Sequence, residues 1–107
     1  MNLQFGNPVF HRGINVTVRR GDKWLRNYLQ GVRDVVLTDK DDKPVGEGFI
    51  QEVAYMPFNM VGVPYLGKEH DPSCVTYNGL LQGMRAAYGE DFSEDESVTV
   101  IQFYVKE

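Results

Sequence analysis

The chain has 107 residues, 42% apolar and 24% charged, with a net charge of −4, the make-up of an ordinary folded globular domain. Its single cysteine, Cys74, excludes an internal disulfide and fits a reducing compartment, most simply the cytoplasm. No run approaches the roughly 20 apolar residues of a membrane span, and MNLQFGNPVF lacks the basic start and apolar block of a secretory signal, so no membrane association is expected.

The first predicted element is a strand over residues 14–19. Ile14, Val16 and Val18 alternate there with Asn15, Thr17 and Arg19, a period of two rich in β-branched residues. RRGD then turns the chain at Gly21. KWLRNYLQ (23–30) fits a helical turn or a strand; as a helix it sets Trp24, Leu25 and Tyr28 on one face. VVLTD (35–39) reads as a strand, DKDDKPVG (39–46) as a polar turn, and VGEGFIQEVAYM (45–56) as the returning strand of a hairpin. Residues 58–74 form an irregular connection with one helical turn near 64–69.

The clearest helix follows. Tyr77, Leu80, Leu81, Met84, Ala87 and Tyr88 form one apolar stripe. Thr76 or Ser73 is placed to cap its start and Gly89 its end. Gly79 and Gly83 weaken it intrinsically, so tertiary packing must hold it. EDFSEDES (90–97) is read as a solvated acidic loop. VTVIQFYV (98–105) is a strand whose blurred alternation predicts cover on both faces. Strands with one strong helix give an α+β domain over residues 1–107. The expected form is a small β-barrel or a strongly curved mixed sheet, with the main helix packed on it.

The charge is uneven. Residues 1–33 carry six Lys/Arg and one acid, Asp22, while residues 34–107 carry five Lys/Arg and fourteen acids. A local basic face can meet an anion although the whole chain is acidic. The acidic remainder favours a small footprint, a single strand or a nucleotide, over a wrapped duplex.

Three passages resemble the ASCH domain, of the PUA-like superfamily of small β-barrels. INVTVRRGDKW resembles its early strand and Gly-Asp turn, LTDKDDKPVGEGFIQEV its central hairpin, and YLGKEHDP with the helix and VTVIQFYV its C-terminal half. The resemblance implies RNA recognition, or, from one bacterial branch, amide hydrolysis of N4-acetylcytidine by a lysine, a threonine and a glutamate. Set on that branch, Thr17 keeps the threonine. The lysine position falls on Ile14, which cannot act as a base, and the glutamate position falls near Ser73, close to Glu69. The activity is therefore not carried over, and no catalytic residue is assigned.

The expected function is binding of RNA or a nucleotide-like ligand in a basic cleft. Arg12, Arg19, Arg20 and Lys23 would meet phosphate. Asn15, Thr17, Trp24, Lys68, Glu69 and His70 would line the cleft, with Trp24 and Tyr28 offering a stacking surface. In KEHDPSC, His70, Asp71 and Cys74 combine a base, an acid and a thiol, but nearness in sequence is poor evidence for a catalytic set, and Cys74 is read as a small buried hydrophobe. His11, His70 and Cys74 are the only soft ligands and lack metal-site spacing. No Walker loop or dinucleotide fingerprint is present, so no metal and no cofactor are expected. Two alternatives stand beside this reading: the N4-acetylcytidine-type amidohydrolase, and a protein-interaction module that docks a protein partner through a strand edge.

Overall fold

The computed structural model describes residues Met1–Glu107. Along the chain run β1 (Asn2–Gln4), β2 (Asn15–Arg20), α1 (Lys23–Leu29), β3 (Asp34–Thr38), β4 (Pro44–Pro57), α2 (Val63–Leu66), α3 (Tyr77–Tyr88) and β5 (Ser97–Val105). Short 3-10 turns at Phe58–Met60 and Pro72–Cys74 flank α2. The strands form one sheet in the order β1-β3-β4-β5-β2. β1 pairs parallel with β3, and every other pair is antiparallel.

The sheet does not close. β1 and β2 are its two edges, so the curved mixed sheet is the correct form and the β-barrel is not. The predicted hairpin is β3–β4, with a register break between Leu37 and Thr38. β4 is long enough to pair with β3 near its start and with β5 as far as Pro57. A second irregularity lies between Ile50 and Glu52, where a bulge bends the strand.

The two sides of β5 serve two cores. Val98 and Val100 join Val16, Val18, Phe58, Leu80, Leu81, Met84 and Phe92 beneath α3. Ile101 and Phe103 join Leu3, Phe5, Trp24, Leu37 and Ile50 on the opposite face, beneath α1. Cover on both faces is what blurs the alternation of VTVIQFYV. The segment 23–30 is a helix because Trp24 must be buried against that second core while Lys23 and Arg26 stay wet.

α3 starts where predicted. Thr76 Oγ1 accepts a hydrogen bond from the Gly79 N–H at 3.1 Å, and Gly89 ends the helix with φ +118°. A Cβ at Gly79 would overlap the Ser73 carbonyl oxygen, and one at Gly83 would press on Cys74 Sγ at 3.1 Å. These glycines therefore let α3 lie against the Pro72–Cys74 turn, and that packing offsets their poor helix propensity. The acidic loop 90–97 is wet except at Phe92, which anchors it in the α3 core. No helix is long and apolar enough to cross a membrane.

Candidate functional site

One side of β2 pairs with β5, Thr17 opposite Ile101 and Arg19 opposite Thr99. The other side is an edge, and residues 68–70 cover only part of it. The Val16 N–H donates to the Lys68 carbonyl at 2.8 Å, and the His70 N–H donates to the Val16 carbonyl at 2.9 Å. The segment then departs at Asp71, whose side chain accepts from the Ser73 N–H at 2.9 Å to open the next turn. Between the departing segment and α3 a cleft of about 380 Å³ remains. Thr17, Val18 and Arg19 form its floor, and Glu69, His70 and Asp71 its back. Phe5 and Asn7 stand on one side, Met84, Ala87 and Tyr88 on the other.

Arg19 is the only Lys or Arg in that lining. Its Nε donates to Thr17 Oγ1 at 3.1 Å, and its guanidinium lies 4.7 Å from the centroid of the Phe5 ring. Burial lowers its pKa, against the opposing pull of Tyr88 and Glu69. A guanidinium starts so high that it remains a cation.

Glu69 is 4% exposed. Burial pushes its carboxyl up to about 8, although the nearby main-chain N–H groups of Asp71 and His70 and the Arg19 charge oppose the shift. Its Oε1 lies 3.2 Å from His70 Nε2, and its Oε2 has no partner. His70 Nδ1 meets the Val9 carbonyl at 2.9 Å. A carbonyl only accepts, so Nδ1 carries the hydrogen, and Nε2 of the neutral ring is an acceptor. Burial holds the His70 pKa below its ordinary value. The Glu69–His70 pair therefore keeps one proton between Oε1 and Nε2 at neutral pH. Phe5 fixes the imidazole from the side, with ring centroids 4.7 Å apart. Burial alone would raise the Asp71 pKa, but hydrogen bonds from Asn7 and Ser73 hold it below the usual range. The cleft thus carries one cation, Arg19, one anion, Asp71, and a proton-sharing pair.

Thr17, Arg19, Glu69 and His70 are brought together from the predicted set. The others lie elsewhere. Arg12 and Lys23 are exposed and outside the cleft. Arg20 is exposed and paired with Glu96 at 2.7 Å. Lys68 is exposed, and its carbonyl, facing the Val16 N–H and the His11 ring, is the part that contributes. Trp24 is buried in the core under α1 and offers no stacking face to the cleft. Asn15 is buried and staples the preceding loop: it accepts from the His11 N–H at 3.0 Å and donates to the His11 carbonyl at 2.9 Å. Ile14 lines a separate shallow groove with Tyr104 and Lys106. Cys74 is buried, and burial raises its thiol pKa, which keeps it protonated and unreactive. No group of three or more His, Cys, Asp or Glu side chains converges on a metal position.

Residues 4–7 belong to the cleft without having been singled out, and Asp71 and Tyr88, named as an acid and as part of the helical stripe, line it too. The signal for the first was the alternation of Leu3 and Phe5, too short for a strand assignment on its own. His11 also has a role that the sequence did not disclose. Its two ring nitrogens face the carbonyls of Arg12 at 3.0 Å and Lys68 at 2.9 Å; a neutral ring donates to only one of them, and the Nε2–H tautomer ties the N-terminal loop to the segment that carries Glu69. His11→Ala is expected to cost about 1 kcal/mol and to speed hydrogen exchange at the His70 amide. Unchanged exchange there would remove this tie from the account.

No protein-family model matches the sequence, and no curated protein matches it. Solved structures do match the fold. One is an ASCH domain from Lactobacillus crispatus JV V101, at 16% identity and TM-score 0.60, over 85% of this chain and 63% of that one. Another is protein EF3133 from Enterococcus faecalis V583, assigned to the family model DUF984, at 18% identity and TM-score 0.56, over 85% of this chain and 62% of that one. This chain thus spans less than two thirds of either. Its fold is ASCH-like: an α+β domain with an open, mixed five-stranded sheet.

Proposed function

We propose that this ASCH-like domain binds a small nucleoside- or nucleotide-like ligand, free or as one unit of an RNA, in the cleft on β2. The observation that carries the reading is the lining itself. A cavity of about 380 Å³ falls in the range of small-molecule sites. Apolar walls from Phe5 and Met84 meet one arginine and a buried proton-sharing acid. A track for many phosphates needs several cations in line, whereas Arg12, Arg20 and Lys23 lie outside the cleft. The reading therefore favours a base and its sugar over a long polyanion. Lysine-dependent amide hydrolysis is not proposed, because no lysine lines the cleft. The single buried cysteine suits a reducing compartment such as the cytoplasm.

The test is a two-dimensional amide NMR titration with nucleosides and short single-stranded RNAs. Shifts are expected at Thr17–Arg19, Glu69–Asp71 and Tyr88. Ala87, exposed on α3 and lining the cleft, allows an occluding control. Ala87→Trp is expected to abolish these shifts while leaving the melting temperature near that of the parent. Shifts elsewhere, or binding that survives the tryptophan, would reject the cleft as the site.

A further inference from the structure

Resting on that reading of the cleft, we propose that the free edge of β2 reads the ligand's base. Val18 offers its main-chain N–H and C=O together to a planar neutral group that carries a hydrogen-bond donor beside an acceptor, as an amino-substituted nucleobase does.

The assignment follows from strand alternation. In an antiparallel pair, successive residues turn their N–H and C=O groups alternately toward and away from the partner strand. Val16 turns away from β5, since its N–H and C=O go to Lys68 and His70. Arg20 does the same, its N–H lying 3.4 Å from the Tyr88 hydroxyl. Gly21 turns back, donating to the Ser97 carbonyl. Val18 lies between Val16 and Arg20 and shares their direction. Its N–H and C=O find no protein partner among the turn, loop and side-chain bonds. Val18 lies on the cleft floor and is only 7% exposed. Sheltered main-chain groups are nearly always paired, so an unpaired pair here marks a place for a ligand. The valine side chain, in contrast, is committed to the core under α3.

The length of the free edge sets the class of occupant. Glu69 closes it at Val16, and Tyr88 stands over it at Arg20. One residue's donor and acceptor are left, whereas a peptide that adds as a strand needs several in a row. A flat ring with a donor and an acceptor on either side of one ring carbon fits that single residue. Arg19 and Asp71 balance in charge on either side, which suits a neutral ring.

The experiment uses the full chain, with adenosine and cytidine as probes beside their exocyclic N,N-dimethyl derivatives, which lack the donor. On adding either parent nucleoside, the Val18 amide proton is expected to move downfield and exchange more slowly. The dimethyl derivatives are expected to bind about tenfold more weakly or worse, the value of one hydrogen bond. If Thr17, Arg19 and Tyr88 respond while the Val18 amide does not, or if the dimethyl derivatives bind as tightly, edge recognition is overturned and the cleft reading stands. If none of the four probes moves any cleft resonance, both fall.

Discussion

Between pH 6.5 and about 8 the protein is expected to lose about 1 kcal/mol of stability, and Glu69→Gln is expected to remove that loss. In the unfolded chain Glu69 titrates near 4.5 and His70 near 6.5. In the folded chain burial raises the Glu69 pKa to about 8 and lowers that of His70, so the pair holds one proton. His70, its pKa lowered by burial, charges less readily in the folded chain than in the unfolded one, so its contribution favours unfolding as the pH falls below 6.5. Between 4.5 and 6.5 Glu69 holds its proton only in the folded chain, and this contribution opposes that of His70. Above 6.5 the folded state keeps more of this proton than the unfolded chain does, and stability falls by less than about 1.4 kcal/mol per pH unit until Glu69 ionises. A glutamine copies the protonated acid but does not titrate, so its stability stays level through that window. Urea unfolding of both proteins at closely spaced pH values measures this directly. Parallel slopes for the two proteins would mean that Glu69 is ionised in the fold.

Arg19→Gln is expected to weaken nucleoside or short-RNA binding by about tenfold or more, as removal of a sheltered charged donor does. Arg20→Gln, Arg12→Gln and Lys23→Gln are expected to stay within about twofold, as exposed charges usually do. The contrast follows from position. Arg19 is half-buried on the cleft floor, while Arg20, its neighbour in sequence, points to the opposite face and pairs with Glu96. With one cation at the site, affinity is expected to fall only shallowly with salt. Thermal melts of each variant separate loss of binding from loss of fold. Equal losses at Arg19 and Arg20, together with a steep salt dependence, would replace the cleft with a broad basic face.

Legibility in the sequence followed the strength of local signals. The α3 stripe, its Thr76 cap and its Gly89 end could all be read because each rests on neighbours a turn apart. The β3–β4 hairpin was readable for the same reason. β1 was not, because three residues carry too little pattern and its pairing with β3 is non-local. The sequence allowed both a barrel and the curved open sheet found, since closure depends on which strands meet at the edges and no single segment records that. At the site, Arg12, Arg19, Arg20 and Lys23 looked alike in the chain. Strand alternation sends Arg19 to one face and Arg20 to the other, while Arg12 lies in the loop before β2 and Lys23 opens α1. Trp24 suggested stacking by its type, yet a helix beneath which a core must form gave it a buried role. Glu69 and His70 stood out by chemistry, and their shared proton became visible only once burial and the Val9 carbonyl were known.

The order of the sheet also bears on how the cleft comes into being. β2, which carries the floor, joins the other strands only through β5, the latest of the five in sequence. The β3–β4 hairpin can zip up from contacts made close along the chain, whereas β2 must wait for a distant partner across a long loop. Assembly therefore has a natural last step, insertion of β5 between β4 and β2, and the binding surface exists only after it. Any partial opening that lifts β5 away would erase the cleft while leaving the hairpin standing, so ligand occupancy would act as a latch on the closing strand.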